Sequence, residues 1–263
     1  MVAPTLFCAE ITSRDKIETL IEMTEQISKN FQFPATMALF IDFDGTLVNF
    51  KNNPDEVYLS KNQTLLIIQI NETLEGALAL ISGRDLRDLS KRVPKGLWRL
   101  GNHGLYAVEP YKYFCGEIEN FDVDLRQKIG QVVASFKGVW VEEKGPILAI
   151  HHRRNPSIGK DILQSLIPFI SNEDNLVLEY GNNVVEIKPK TANKGLALLL
   201  QMEAPAFKGR VPVMIGDDST DEDAFLAAQS LGGYGIKIGV GMTTARYRMK
   251  NIAQLYRYLE RLV

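Results

Sequence analysis

Two aspartates separated by a single residue are the strongest sign of chemistry in this sequence of 263 residues. Asp42 and Asp44 follow the apolar run 37–41, which is typical of a buried parallel strand. Ligands of an open α/β sheet bind outside the carboxyl ends of its strands, and a period of two turns both carboxylates to the same side. Two like charges held together away from water are unfavourable unless a cation or a shared proton compensates. The run therefore predicts a carboxylate nucleophile that is assisted by magnesium.

Two further polar residues stand at the ends of predicted elements. Ser82 follows the apolar run 77–81, where its hydroxyl and the neighbouring backbone N–H groups can hold a phosphate oxygen. Lys194 stands at the start of a predicted helix, where a cation is unfavourable unless an anion lies nearby. Either residue taken alone would usually be an ordinary loop or surface residue. Together with the two aspartates they indicate a phosphate site.

Five acids crowd into residues 217–223, directly after the predicted strand 211–215. Glu222 and Asp223 fall in the first turn of the following helix, where capping and the helix dipole explain acidic side chains. Asp217 and Asp218 precede that turn, so the same explanation does not cover them. We therefore predict that this strand end contributes to a cation site.

The spacing of apolar residues predicts two units of different architecture. Strands that alternate with helices towards both ends of the chain favour an α/β fold with a doubly wound parallel sheet, a Rossmann-like core. Between Pro110 and Pro189, hairpin-like strands around a helix over 160–170 predict a smaller α+β cap domain inserted in that core. Such a pair of domains can open and close over a ligand. The predicted division is 1–35 for an amphipathic N-terminal helix packed on the core, 36–109 and 190–263 for the core, and 110–189 for the cap.

Composition and charge exclude several classes of function. A net charge of −2 provides no field for nucleic acid or for an anionic membrane. No apolar stretch approaches the ~20 residues of a spanning helix. We see no secretory signal, and two cysteines are too few for a disulfide framework. We expect a cytoplasmic protein with reduced thiols, a monomer or weak oligomer, whose partner is a small molecule.

Four motifs together resemble the haloacid dehalogenase superfamily of aspartate-nucleophile phosphatases. They are Asp-Phe-Asp-Gly-Thr at 42–46, Ser-Gly-Arg at 82–84, Lys194, and Gly-Asp-Asp at 216–218. Within that superfamily, the segments 101–104, 143–144, 151–153, 186–189 and 216–223 are similar to the trehalose-6-phosphate phosphatases. The resemblance implies a magnesium-dependent hydrolase of a sugar phosphate, with a cap domain that supplies the residues that bind the sugar.

The resemblance also implies a role for each matching residue. Asp42 would attack phosphorus and form an aspartyl-phosphate, and Asp44 would donate a proton to the leaving oxygen and then take one from water. Magnesium would be held by Asp42, the Asp44 carbonyl and Asp217, with Asp218 and Asp221 close by. The phosphoryl oxygens would be bound by Thr46, Ser82, Gly83 and Lys194. The sugar would be bound by Arg84, Asn102, His103, Lys144, Arg153, Glu179 and Glu186, and Glu143 is also suitably placed in a cap strand.

The choice of substrate stays open at this stage. Tyr106 stands where the family pattern has an acidic residue. Phosphatases of sucrose phosphate and of mannosyl-phosphoglycerate have the same type of cap, and a general phosphatase for small metabolites is a further alternative. A non-catalytic sugar-phosphate sensor would be free to lose Asp42, Asp44 or Lys194, and this chain retains all three. The roles of His151 and Arg153, alternate residues of one strand that can also brace the cap or meet the phosphate, are left open as well.

Overall fold

Two sheets organise the computed structural model, which describes residues 24–28, 31–51 and 53–263. The larger sheet contains β1 (Glu25–Gln26), β2 (Met37–Asp42), β3 (Leu78–Ile81), β4 (Trp98–Gly101), β5 (Tyr106–Val108), β10 (Val211–Gly216), β11 (Tyr234–Ile238) and β12 (Tyr247–Met249). The smaller sheet contains β6 (Trp140–Lys144), β7 (Ile147–His151), β8 (Leu176–Gly181) and β9 (Val184–Pro189). The α-helices of the described residues are α1 (Lys61–Thr73), α2 (Leu86–Arg92), α3 (Val123–Val133), α4 (Gly159–Ile170), α5 (Lys194–Gln201), α6 (Glu222–Ser230) and α7 (Ile252–Leu259). Among these described helices, none is long and apolar enough to cross a membrane.

The larger sheet has the order β1-β12-β11-β10-β2-β3-β4-β5. Every neighbouring pair is parallel except β4 and β5. All six residues of β2 are buried, because a central strand of a parallel sheet is covered on both faces. Since β2 lies between β10 and β3, the carboxyl ends of these three strands meet at one edge of the sheet.

The smaller sheet is antiparallel, with the order β6-β7-β9-β8. Val185 and Ile187 of β9 belong to a second hydrophobic core, which α3 and α4 complete on one face of the sheet. The period of two along a strand turns Glu186 and Lys188 to the opposite face. That polar face is directed at the larger sheet, because Glu186 contacts His103, which follows β4.

The structure confirms the predicted fold class, a parallel α/β core with a separate α+β sheet. The N-terminal helix predicted within 1–35 lies mostly outside the described residues. Part of this helix prediction is wrong, because Glu25–Gln26 form a short strand that pairs with β12. Backbone pairing at the sheet edge prevails there over helical periodicity. Helix α3 was not predicted, although its apolar residues recur every four positions. The domain bounds stay a prediction.

Candidate active site

The carboxyl ends of three neighbouring strands bring the predicted phosphate and metal residues together. Asp42 ends β2 and pairs in register with Ile81 of β3, so Ser82 follows beside it. On the other side, Ile215 of β10 pairs with the residue before Asp42, which places Asp217 at the same edge. The parallel register alone therefore assembles a buried polar site from segments that are far apart in the chain.

Lys194 is the buried cation at the centre of this site. Its ammonium group donates to Asp42 Oδ1 at 2.7 Å and to Asp221 Oδ1 at 2.6 Å. Helix α5 begins at Lys194 because the side chain of Asn193 accepts the N–H of Leu196 at 3.0 Å. Burial alone would lower the pKa of Lys194, but Asp221 and Asp42 outweigh burial and raise it. Lys194 is therefore charged, and it holds one oxygen of Asp42 in place.

Asp221 is fully buried and braces the loop that follows β10. Its Oδ2 accepts the N–H groups of Asp217 at 2.9 Å and of Asp218 at 3.0 Å. Its Oδ1 accepts Lys194. Because both oxygens are engaged, Asp221 fixes the backbone of the acidic loop and the position of the lysine at the same time.

Asp42 and Asp217 are crowded acids. Burial raises the pKa of Asp42 well above its ordinary value despite Lys194, and burial together with Asp221 raises the pKa of Asp217 to about 7. Thr46 Oγ1 donates to Asp217 Oδ1 at 2.9 Å. A Cβ at Gly45, where φ is +87°, would collide with the Asp217 carboxylate.

The donor set of this group fits a divalent cation. Oxygens of Asp42, Asp217 and Asp221 lie within 4.8 Å of one another. Buried carboxylates at this spacing repel each other unless protons or a cation compensate, which agrees with the raised pKa values of Asp42 and Asp217. Carboxylate oxygens are the ligands that magnesium prefers.

Asp44 forms a bidentate ion pair with Arg84. The guanidinium Nε donates to Asp44 Oδ2 at 2.7 Å, and Nη2 donates to Oδ1 at 2.7 Å. Burial would lower the pKa of Arg84, but its bonds to Asp44 and Asp88 outweigh burial and raise it. Ser82 Oγ accepts the backbone N–H of Arg84 at 3.1 Å, so the Ser-Gly-Arg turn sets the guanidinium against Asp44. Arg84, which the sequence predicts to bind the sugar, thus contacts the neighbouring acid.

Three charged or polar side chains meet where the smaller sheet faces the larger one. Glu186 Oε2 lies 2.7 Å from His103 Nε2, and its Oε1 accepts Lys144 at 3.1 Å. Burial would raise the pKa of Glu186, but Lys144, His103 and Lys188 outweigh burial and lower it well below its ordinary value. Burial would likewise lower the pKa of Lys144, but Glu186 and Glu142 raise it. The group therefore presents fixed donors and acceptors close to the phosphate site.

A cleft of about 330 Å³ joins these two groups of residues. This volume lies within the usual range for small-molecule sites. Its lining includes eleven of the predicted site residues: Asp42, Asp44, Ser82, Gly83, Arg84, His103, Lys144, Arg153, Glu186, Lys194 and Asp218. Thr46, Asp217 and Asp221 are not in the lining but bond to one another or to the residues at its base.

Asn102 and Glu179, both predicted to bind the sugar, are not in the lining either. The side chain of Asn102 accepts the N–H of Leu86 at 2.9 Å and donates to the carbonyl of Lys144 at 2.8 Å. It therefore ties the smaller sheet to the larger one. Glu179 forms an ion pair with Lys188, on the cap face that carries Glu186.

The cleft also contains residues that the sequence analysis did not single out. Glu142 lies two residues before Lys144 on β6, and its Oε2 is 2.7 Å from His151 Nε2. The period of two was a signal that could have found Glu142. Phe50 lies in the loop after β2, and the Arg153 guanidinium is 5.4 Å from its ring centroid. No sequence pattern pointed to Phe50.

We expect His103 to stay neutral at a pH where an exposed histidine is protonated. Burial lowers the pKa of His103 below 6.5, and Lys188 lowers it further, although Glu186 opposes both. The unfolded chain binds this proton once the pH falls below about 6.5 and the native protein does not. The contribution of His103 to stability is therefore present above that pH and is lost as the pH falls. An NMR titration of its ring should give a midpoint below 6.5, and a midpoint above 6.5 would contradict this account.

Comparison with known proteins identifies the family. The family model described as trehalose-phosphatase matches residues 40–257. Trehalose-6-phosphate phosphatase of Escherichia coli (strain K12) is 34% identical over 242 residues, which cover 90% of this chain and 91% of that protein. A probable trehalose-phosphate phosphatase of Sinorhizobium fredii is 34% identical over 207 residues and covers 77% of each chain.

Solved structures have the same fold at lower identity. The C-terminal domain of Candida albicans trehalose-6-phosphate phosphatase gives a TM-score of 0.77 at 21% identity, over 87% of this chain and 92% of that one. A haloacid dehalogenase-like hydrolase from Bacteroides thetaiotaomicron gives a TM-score of 0.62 at 15% identity, over 86% of this chain and 99% of that one. Both likenesses concern the fold. From the family match and the identity to curated relatives, the chain belongs to the trehalose-phosphatase family of phosphoric monoester hydrolases.

Proposed function

We propose that this protein hydrolyses trehalose 6-phosphate to trehalose and phosphate, with magnesium bound, through an aspartyl-phosphate on Asp42. One observation carries the proposal. Asp42 is buried at the end of a central parallel strand, bonded to Lys194 at 2.7 Å, at the base of a cleft that the polar cap face also lines. The names of the curated relatives support trehalose 6-phosphate as the substrate.

In the first step, Asp42 attacks phosphorus with the oxygen that Lys194 does not hold. The bond between phosphorus and the sugar oxygen breaks while the bond to Asp42 forms. Lys194 and Ser82 line the cleft and bind the phosphoryl oxygens, where negative charge shifts during the transfer. Thr46 joins them when its hydroxyl turns from Asp217. Gly83 contributes its backbone N–H at the same turn. A low-dielectric site strengthens each of these contacts relative to water.

Asp44 moves the proton in both steps. It donates a proton to the sugar oxygen as that oxygen leaves, and then accepts a proton from the water that attacks the aspartyl-phosphate. The second transfer releases phosphate and restores Asp42. Asp44 lines the cleft two residues from the nucleophile, which suits it to reach the oxygen on the far side of phosphorus.

Magnesium is the ion that these residues would hold. Its ligands would be the Asp42 carboxylate, the Asp44 carbonyl and the Asp217 carboxylate, with Asp218 and Asp221 supporting the loop. When bound, it neutralises part of the charge on the nucleophile and on the phosphate.

The sugar is bound by the polar face of the cap. Lys144, Glu186 and His103 line the cleft and present donors and acceptors that match sugar hydroxyls. Arg153 also lines the cleft. Asn102 and Glu179 support this group, because they bond to the Lys144 carbonyl and to Lys188. Arg84 acts on the substrate indirectly, because it holds the carboxyl group of Asp44.

A phosphate-release screen tests the proposed substrate. It compares trehalose 6-phosphate, sucrose phosphate, mannosyl-phosphoglycerate and small metabolite phosphates, each with and without magnesium. We expect the highest kcat/KM on trehalose 6-phosphate with magnesium. Comparable values on all of these would favour the general phosphatase, and no release from any would favour the sensor.

Substitutions in the cap group should separate sugar binding from phosphate chemistry. We expect Lys144→Ala or Glu186→Ala to lower kcat/KM on trehalose 6-phosphate by about 1.5 to 3 kcal/mol, or roughly 10- to 150-fold, because each removes a charged hydrogen bond. The loss on p-nitrophenyl phosphate, which has no sugar, should be far smaller. Steady-state kinetics on both substrates measures the difference.

Glu143→Ala is the matched control for these variants. The sequence placed Glu143 among the sugar-binding candidates, but the alternation of side chains along β6 turns it to the other face from Lys144, where it accepts Arg126 at 2.9 Å. We expect this variant to leave both substrates unchanged. Equal losses on both substrates for Lys144→Ala and Glu186→Ala would rule out the sugar-binding role.

A further inference from the structure

A chain of four charged side chains leads from the cleft into α2, and its inner half has no part in the chemistry described so far. Arg84 grips Asp44 with Nε and Nη2, and its Nη1 donates to Asp88 Oδ2 at 2.8 Å. Arg92 donates from Nε to Asp88 Oδ2 at 2.8 Å and from Nη2 to Oδ1 at 2.7 Å. Asp88 therefore lies between two guanidinium groups, each four residues away.

Arg92 anchors the inner end of this chain. Its side chain is 3% exposed. Its Nη1 donates to the carbonyl oxygens of Val57 at 2.8 Å and of Asp55 at 3.2 Å, and the guanidinium lies 4.7 Å from the ring centroid of Tyr58. A planar group bonded on so many sides has one orientation. Asp88 is therefore held by a rigid partner.

Arg84 forms the outer end of this chain, and both Arg84 and Asp88 line the cleft. The backbone N–H of Arg84 is bonded to Ser82, and its Nη2 also donates to the carbonyl oxygen of Pro54 at 3.2 Å. A guanidinium held by Asp44 alone could swing together with that carboxyl group. The bond to Asp88 fixes the remaining edge of the guanidinium. The position of the Asp44 carboxyl group thus depends on Asp88 and Arg92.

We propose that Asp88 and Arg92 are positioning residues, which fix Arg84 so that the Asp44 carboxyl group stays within reach of the leaving oxygen. The inference rests on the proposed function, in which Asp44 protonates that oxygen. Asp88 and Arg92 act through Arg84. Proton transfer requires hydrogen-bond distance, so a small displacement of the acid slows the step.

The leaving group distinguishes this role from a merely structural one. A sugar alkoxide is a poor leaving group and needs the proton from Asp44, whereas p-nitrophenolate leaves without it. The ratio kcat/KM reports only the steps through transfer to Asp42, so the later attack of water does not enter it. A loosened Asp44 must therefore lower kcat/KM for the sugar phosphate and, equally, for a simple alkyl phosphate, which has a poor leaving group but no sugar to bind. It must leave kcat/KM for p-nitrophenyl phosphate nearly unchanged.

Asp88→Asn tests the inference, because it keeps the shape of the side chain and removes its charge. We expect kcat/KM on trehalose 6-phosphate to fall about tenfold, a part of the roughly 10²- to 10⁴-fold that general acid catalysis supplies, with less than about a twofold change on p-nitrophenyl phosphate. Asp88→Glu restores the charge and should recover most of the loss. Arg87→Gln is the matched control: the Arg87 side chain is 61% exposed and pairs with Asp85 at 2.7 Å, so neither substrate should be affected.

Equal losses on trehalose 6-phosphate and p-nitrophenyl phosphate for Asp88→Asn, or no loss on either, would overturn the inference. A loss on trehalose 6-phosphate without a loss on the alkyl phosphate would overturn it as well, because it would show a contact with the sugar. Asp44→Asn, assayed beside Asp88→Asn, separates the acid role of Asp44 from the positioning role of Asp88. If Asp44→Asn itself does not favour p-nitrophenyl phosphate, the acid role fails and the positioning role fails with it. If Asp44→Asn favours p-nitrophenyl phosphate but Asp88→Asn does not, only the positioning role fails. Should Asp88→Asn not fold, Arg92→Lys keeps the charge without the fork and must show the same split, and its absence overturns the proposal.

Discussion

Replacing Asp42 with asparagine should lower kcat by on the order of 10⁴-fold or more with magnesium present, because an amide oxygen is a poor nucleophile and the covalent route is lost. The fold should survive. Asp42 is a buried acid whose pKa is raised, so removing its charge relieves repulsion from Asp217 and Asp221. Lys194 keeps its bond to Asp221 at 2.6 Å. Phosphate release measures the activity, and thermal unfolding measures the stability.

Asp218→Asn is a useful control for this variant, since Asp218 lies in the same acidic region but is not assigned to the attack. Its Oδ1 accepts the N–H of Ser219 at 2.8 Å, a bond that an asparagine oxygen can also accept. We expect a much smaller loss of kcat than for Asp42→Asn. Phosphate release by Asp42→Asn near the wild-type rate would refute the covalent mechanism.

Removing magnesium should have the second-largest effect. Chelation is expected to lower kcat by on the order of 10³-fold, because a bound cation is worth several kcal/mol to a phosphoryl transfer. The ion should also stabilise the fold, by about 2.7 kcal/mol at a concentration one hundred times its Kd. Activity assays with added metal and thermal unfolding with and without magnesium measure the two effects.

Asp217→Asn should change how the unfolding temperatures of the variant and the wild type compare when magnesium is added. Without metal, the variant should unfold at the same temperature as the wild type or higher, because it lacks one of three crowded carboxylates. When magnesium is added, the unfolding temperature of the wild type should rise, and that of the variant should change little. Its bond from Thr46 can be kept by the amide oxygen. A variant that gained as much stability from magnesium as the wild type would show that Asp217 is not a ligand.

The core of the site could be predicted from the sequence because simple geometry determines it. Asp42, Ser82 and Asp217 each follow an apolar run, and runs of that kind become parallel strands whose carboxyl ends share an edge. The period of two on β9 likewise separates Glu186 from Ile187, which belongs to the cap core. In these places one local pattern decides both the element and the direction of the side chain.

The contacts between side chains could not be predicted in this way. Arg84 was expected to bind the sugar, but whether an arginine in a cleft meets substrate or a neighbouring acid depends on distances that no spacing reveals. Asn102 is a similar case. Its backbone has φ of +52°, and its side chain connects the two sheets. The strand at Glu25–Gln26 depends on its partner β12, more than 200 residues away, which local periodicity does not show.

Trapping the phosphorylated protein tests the central claim most directly. Asp44→Asn is mixed with p-nitrophenyl phosphate and magnesium, the reaction is quenched in acid, and the peptides are analysed by mass spectrometry. The good leaving group allows attack without the acid, while the missing base slows the water step. The account predicts a burst of p-nitrophenolate and one phosphoryl group on the peptide that contains Asp42. A burst without a phosphorylated peptide, or a phosphoryl group on another residue, would contradict it.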